Sequence, residues 1–344
     1  MIVSNYYNIP RRKLLLHTAP DFSYIIGMKR KVAVIGSLTI MGRALLDALS
    51  DKGWSPDFVH ALDSRQNLGV QIPYGFDFIA IEDLDTFDFF KVSLIFLCTP
   101  ALLSVYKDRA INSGAFIIDC VGILEGTSCI VPPSCFRRRQ KKRLFLNPTT
   151  LTLPLLHVLK PIHTRFKIIS AQVTALLSAS VFGSPAIQLL MDQTRCLYTR
   201  EEPYQGLFPK IQAFNLIPEA SPILTRQTTE QLKSFLHFPI HISTCLAPVF
   251  QGDAFSLSFV IHEECHIEQL ENLFQRNKYC RLIGGISPEL TLSTQEAICG
   301  DSIYLTHISS VAGQPRTYHL WVICDSIRRG SIQNAVQIAE NLLS

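Results

Sequence analysis

Paired cysteines, long apolar runs and strong charge are all missing from this chain. It carries ten cysteines in 344 residues, scattered singly, with no C-x-x-C pair and no dense framework. Scattered thiols in a chain of this length fit a reduced, cytoplasmic protein better than a secreted one held by disulfides. No apolar run reaches the ~18 uncharged residues that a membrane span needs. The nearest stretch, Ile168–Met191, is broken by Gln172, Ser178, Ser180, Ser184, Pro185 and Gln188. Charged residues make up 17% and the formal net charge is +4, too little to argue for nucleic acid. The densest basic run, FRRRQKKR (Phe136–Arg143), reads as a solvated loop or helix rather than a polyanion patch. There is no internal repeat, no low-complexity segment and no cleavable signal peptide. Residues 1–27 match nothing around them, and Met28 directly precedes KRKVAVIG, so they read as an upstream extension or a mis-called start.

What is present is a globular chain, 47% apolar and long enough for two domains. A buried strand (Val32–Ile35), a glycine turn and a helix (Met41–Leu49) open it. Strands follow at Phe58–Asp63, Phe76–Glu82 and Val92–Thr99, and a helix through YKDRAINSG ends at Gly114 before the strand in AFIIDCVG. Strands alternating with helices predict a mostly parallel sheet covered on both faces. After residue 150 the texture changes. FKIISAQVTALLSAS and DAFSLSFVIHEE are longer strands interspersed with helices in TTEQLKSFLHF and IEQLENLFQR. That predicts an α+β second domain, one face covered by helices or a partner chain. The chain closes with a strand, a turn at Gly330 and a helix over Ile332–Leu343.

Four stretches could carry chemistry. Gly36-Ser-Leu-Thr-Ile-Met-Gly42 follows the first strand and opens a helix, the context for a dinucleotide pyrophosphate. The middle glycine of G-x-x-G-x-x-G is replaced by Thr39, whose side chain is expected to crowd the backbone there. Gly36, Ser37, Thr39, Met41 and Gly42 are the candidate binding residues. After the second strand, Asp63-Ser64-Arg65 could hold a ribose through the acid or a 2′-phosphate through the arginine, so NAD and NADP both stay open. HEECH (His262–His266) spells H-E-x-x-H, but the strand before it runs into His262 and the helix begins near Ile267, so no metal is expected. In RLFLNPTTLTLPLLHVLKP a strand (Leu144–Leu146) stops at Asn147-Pro148 and a helix (Leu151–Leu159) follows. That seats a nucleophile on a helix N-terminus, yet the turn offers only Thr149 and Thr150. An alcohol needs an adjacent base, and His157 and His163 lie on a helix leading away. Capping by Thr149 or Thr150 is the plainer reading.

Taken together, residues from about Met28 to Ser344 resemble aspartate-semialdehyde dehydrogenase. VAVIGSLTIMG is similar to the family's V-x-V-x-G-A-T-G-x-V-G opening, SGAFIID to its A-G-A-x-V-I-D strand, and FLNPTTLT to its A-N-P-N-C-S-T. SASVFGSPAIQLLMDQ, FNLIPE, PVFQGD and LWVICDSIRRGSIQNAVQIAE match later landmarks. The resemblance implies a Rossmann-type NAD(P)-binding domain (28–150), an α+β mixed-sheet dimerisation domain (151–325), and a C-terminal helix (326–344) returning to the first domain. It also implies a homodimer, with no nucleic acid or membrane partner.

The family reduces aspartyl phosphate with NADPH through a thioester. Position by position, its cysteine falls at Thr150, its acid/base histidine at Asp253, and its glutamine at Leu177. The arginine that binds the substrate carboxylate falls at Leu246, and the one that binds phosphate at Glu125. Two matches survive: Glu230, where the family binds the substrate amino group, and Lys233, where it contacts phosphate. This pattern is similar to the Usg-like branch, which keeps the fold without the cysteine. The expectation is a non-catalytic, structural or regulatory homologue that could still bind NAD(P). The alternative is an NAD(P)-dependent aldehyde oxidoreductase in amino-acid biosynthesis acting on an altered substrate.

Overall fold

Four consecutive apolar residues, Val32–Ile35, need cover on both faces, and they form β1 at the centre of the first sheet. The computed structural model describes residues 31–99, 103–122, 129–130, 143–275, 277–283, 292–298 and 300–343. The extension 1–27, Glu125 and the basic run apart from Arg143 lie outside them. The sheet continues with β2 (Val59–Asp63), β3 (Gln71–Tyr74), β4 (Asp77–Asp83), β5 (Leu94–Leu97), β6 (Phe116–Asp119), β7 (Cys129–Ile130) and β8 (Leu144–Leu146). Its order is β3-β4-β2-β1-β5-β6-β8-β7, parallel except where β3 meets β4.

Alternate residues of β1 point to opposite faces. Val32 and Val34 pack with α1 (Ile40–Asp51), while Ala33 and Ile35 pack with Phe87, Phe89 and Ala110 of α2 (Leu103–Asn112). The chain leaves β1 towards β2 and later returns to β5 on its other side. The crevice above the carboxyl ends of β1 and β5 is therefore a topological switch point. This is the expected Rossmann-type arrangement. The strand expected at Phe76–Glu82 is β4, and it is the second arm of a hairpin whose first arm, β3, the sequence reading does not include. Pro73 argues against a strand in sequence, but β3 is an edge strand, where proline is tolerated.

The second sheet is mixed. Its strands are β9 (Ile168–Leu177), β10 (Ile217–Pro218), β11 (Ile240–Leu246), β12 (Asp253–Ile261), β13 (Cys280–Leu282), β14 (Ile303–Ser310) and β15 (Thr317–Cys324), in the order β10-β11-β9-β12-β15-β14-β13. Val173, Ala175, Phe255, Leu257, Leu320 and Val322 point to one face, where α3 (Thr152–Phe166), α5 (Pro222–Leu236) and α6 (Ile267–Gln275) cover them. Helix α4 (Ser184–Thr199) packs through Leu189 and Leu190 against Leu246. The opposite face of β9, β12 and β15 carries Gln172, Thr174, Ser256, His319 and Trp321, half-buried or exposed.

Two helices differ from expectation. Helix α3 runs on past Leu159 to Phe166, with Pro161 inside it. Proline leaves the His157 carbonyl without its helical donor, and the Cys280 thiol donates to that oxygen at 3.8 Å instead. The segment around Gly330 is not a turn. After β15 the Asp325 carboxylate accepts the Arg328 N–H, and a wide helical turn, Arg328–Ile332, leads directly into the closing helix Gln333–Leu343. A short helix, Thr294–Ala297, precedes β14 and is α7; the closing helix is α8. Ile332, Val336 and Ala339 join the same core as β1 and α1, so the last segment packs on the first sheet.

Candidate functional site

The strand–turn–helix at 144–152 is held from three sides. Asn147, almost fully buried, donates from its main chain to Asp119 O at 2.9 Å. Its side chain donates to the main-chain oxygen and hydroxyl of Ser331 at 2.8 and 2.6 Å. Gly330 lies so near the Thr150 carbonyl that a β-carbon there would stand 1.8 Å from the oxygen. From the third side, Gln231 Oε1 accepts the Thr149 N–H at 3.0 Å and the Thr152 hydroxyl at 2.7 Å. The Thr149 hydroxyl shares bonds with those of Thr152 (2.8 Å) and Thr228 (2.9 Å).

Neither threonine caps α3 as expected: residue 151 is the N-cap and no side-chain cap forms. Thr149 spends its hydroxyl on threonine neighbours. Thr150 is half-buried, and among the described residues its hydroxyl has no hydrogen-bonding partner and hence no base. His157 turns away and stacks on Tyr279 with ring centroids 4.1 Å apart. Burial, then the charges of Arg329, Lys278 and Lys160, pull its pKa down to about 4. His163 packs on Phe238.

Leu177 and Leu246 are register partners at the ends of β9 and β11, and each is buried in an apolar cluster. Asp253 opens β12 beside them and is 1% exposed. Its carboxylate accepts the Ser178 N–H at 2.7 Å and the Ser178 hydroxyl at 2.9 Å. Burial raises its pKa to about 6, against hydrogen bonds from Ser178 and Ser326 that lower it. A carboxylate placed this way pins two strands together and presents no proton acceptor to a cleft.

Glu230 and Lys233 are exposed on α5. The side chains of that helix that reach the turn are Thr228 and Gln231, which the sequence reading passed over. Cys120 was likewise passed over. It follows β6, and its carbonyl accepts the Ser331 hydroxyl at 3.2 Å. A hydrogen bond with Cys98 and full burial push its thiol well up, which disfavours the thiolate.

The glycine turn is tightly built. A β-carbon on Gly42 would stand 2.2 Å from Gly36 O, and one on Gly36 would stand 2.6 Å from the Thr99 side chain. The expected crowding by Thr39 does not occur, because its hydroxyl turns inward. It lies 2.7 Å from Gly36 O and 3.1 Å from Cys98 O, and accepts the Gly42 N–H at 3.0 Å. Thr39 is thus the N-cap of α1, and the helix pattern leaves Ile40 and Met41 N–H groups without intrahelical acceptors. Ser37 is buried, its hydroxyl donating to Val34 O at 2.8 Å, so it supports the turn from beneath. The Asp63 carboxylate accepts from Leu38 N, Ser64 N and Asn67 Nδ2. Arg65 is exposed and Ser64 half-buried beside it. These residues fit a dinucleotide phosphate: a cradle open to backbone approach at a helix N-terminus. His262 and His266 fall between β12 and α6, and no metal-binding cluster occurs among the described residues.

Fold and site together define a two-domain α/β protein with a dinucleotide-type first domain and a mixed-sheet second domain. Residues 159–329 match the family model described as semialdehyde dehydrogenase, dimerisation domain. An aspartate-semialdehyde dehydrogenase of Rickettsia typhi is 27% identical over 332 residues, covering 92% of this chain and 98% of that protein. A USG-1 protein homologue of Pseudomonas aeruginosa is 26% identical over 331 residues, covering 91% and 97%. The solved structure of a probable aspartate-semialdehyde dehydrogenase from Pseudomonas aeruginosa superposes with a TM-score of 0.82 at 24% identity, covering 92% and 98%. Residues 159–329 thus carry a semialdehyde dehydrogenase dimerisation domain, and the chain over nearly its whole length is similar both to aspartate-semialdehyde dehydrogenases and to USG-1 protein homologues.

Proposed function

We propose that this chain is a non-catalytic member of its family, with a structural or regulatory role, which forms a homodimer and keeps a dinucleotide-binding turn. The observation that carries this reading is the state of the matching positions. Thr150 has no base, the Asp253 carboxylate is spent on Ser178, and Leu177 and Leu246 are packed in cores. Without a thiolate no thiohemiacetal can form to donate hydride, and no thioester arises for phosphate to cleave. Drift of the alignment by a residue leaves this unchanged, because among the described residues no cysteine or histidine stands within the 144–152 turn. The matched dimerisation model and the open face of the second sheet support the homodimer.

The deciding experiment is an assay of phosphate-dependent oxidation of aspartate semialdehyde with NADP and with NAD, on wild type and Thr150→Ala. No turnover above background is expected from either. Robust wild-type turnover would overturn the reading, and its loss in Thr150→Ala would assign the threonine a part.

The intact Gly36–Gly42 cradle favours a second reading, an NAD(P)-dependent oxidoreductase working on another aldehyde. A bound dinucleotide would supply hydride acceptance there, with the Ile40 and Met41 N–H groups holding its pyrophosphate and Ser64 and Arg65 its ribose side. Absence of saturable NAD(H) or NADP(H) binding in calorimetry removes that reading.

A further inference from the structure

Away from the glycine turn, a cavity of about 220 Å3 opens between the end of α1, the first turns of α3, the chain entering β13, and α8. Lys52, Lys278 and Arg329 line it, with Glu340 as the one acid. Arg328 and Arg329 are consecutive but differently used. The first is paired with Asp51 at 2.8 Å and Asp301 at 2.5 Å. Arg329, half-buried, lies over the Tyr279 ring at 5.6 Å, and its buried Nε has no hydrogen-bond partner among the described residues. The Lys278 ammonium sits 4.7 Å from the same ring. Glu340 faces Lys52, and Asp301 is already held by Arg328. A guanidinium N–H without a partner is costly to bury, and with Arg328 already beside Asp51 and Asp301, an anion in the cavity would supply the acceptor that Arg329 lacks. Gln333 and Gln337, four apart on one face of α8, add amide donors to the same cavity.

We propose that this cavity binds a diphosphate group, held by Arg329 and Lys278, with Lys52 and the α8 amides completing the shell. Planar guanidinium donors suit phosphate oxygens, and three cations lining one cavity suit an anion with two charged centres. The cavity is smaller than the ~300 Å3 at which sites for drug-sized ligands begin, which suits a diphosphate rather than a whole dinucleotide. It is also distinct from the glycine turn. Lys52 follows the last residue of α1 and Gly42 lies in its first turn, roughly 15 Å apart along the helix.

Calorimetry of the full chain with inorganic pyrophosphate, at constant ionic strength, tests this. Saturable binding is expected, weakened at least about tenfold by Arg329→Gln and by Lys278→Gln, and unchanged by Lys107→Gln on the exposed side of α2. The Lys278 variant keeps the test valid if the Arg329 variant fails to fold. ADP titrated in parallel separates the sources. Tighter ADP binding that is lost in Arg329→Gln assigns a nucleoside diphosphate, and equal or weaker ADP binding assigns free diphosphate. No saturable wild-type binding, equal affinity in the Arg329 and Lys278 variants, or orthophosphate binding as tightly as pyrophosphate would each overturn the proposal.

Discussion

The α-carbon of Gly330 lies against the carbonyl of Thr150, leaving no room for a β-carbon between the two chain segments. The obstructing atom is main chain, so it cannot rotate aside, and the helical turn at 328–332 would have to move off the 147–152 turn. Gly330→Ala is expected to destabilise the protein by about 3 kcal/mol. The Asn147–Ser331 bonds would be strained at the same time. Denaturant unfolding should show a lower midpoint with unchanged slope.

Asp253 gives the fold a definite pH signature. Its folded pKa of about 6 stands above the unfolded value near 4, so the folded state binds the proton more tightly. The stabilisation from that proton is complete below pH ~4 and is lost as pH rises through about 6. Asp253→Asn keeps an acceptor for Ser178 without a charge to bury. It should leave stability near wild type at pH 4 and raise it by up to about 3 kcal/mol at pH 7.5. Melting curves of both proteins across this range decide the matter; parallel curves would mean that the carboxylate is ionised at no cost.

The strand, turn and helix around Asn147-Pro148 were legible because an apolar run, a breaker and a second apolar run sit next to each other in sequence. The partners of that turn were not. Gln231 and Thr228 reach it from about 80 residues away, and Gly330 from farther still. Nothing in a lone glycine distinguishes a turn from a close approach. At Thr39 bulk alone suggests crowding, but the hydroxyl decides the direction of the side chain. The loss at Leu177, Leu246 and Asp253 could be read only through resemblance. Their burial needed the register of β9, β11 and β12.

Thr39 and Arg65 predict opposite kinds of change. Thr39→Ala removes the cap of α1 and the contact with Cys98 O, at a cost of about 1 kcal/mol. Arg65→Gln touches no packing. Because the Asp63 carboxylate already accepts from Leu38, Ser64 and Asn67, it has little capacity left for a ribose hydroxyl. NADP is therefore expected to bind more tightly than NAD, and Arg65→Gln to remove most of that preference, about tenfold, in calorimetry.

The open face of the second sheet makes the dimer testable. Thr174 lies on it, opposite Ser256 in register and exposed. Thr174→Arg places a charge where a second copy would pack. Light scattering should show the wild type at twice the chain mass and the variant near the chain mass, with unchanged circular dichroism. A variant that keeps the wild-type mass would place the interface elsewhere.

Restoring the residues nearest the chemistry should not restore the reaction. In Thr150→Cys the thiol would stand at the start of α3, where helix N–H groups favour a thiolate. Adding Asp253→His removes the carboxylate that holds Ser178 and puts a larger ring into a site 1% exposed, so a stability loss of about 2 kcal/mol or more is expected. Leu177 and Leu246 would still offer no hydrogen bond to a substrate. A site needing nucleophile, base and anion clamp together gains little from two of the three. Phosphate-dependent turnover of aspartate semialdehyde by the double variant should stay at background. Substantial turnover would mean that the buried leucines matter less than their packing suggests, and that the chemistry was lost through Thr150 and Asp253 alone.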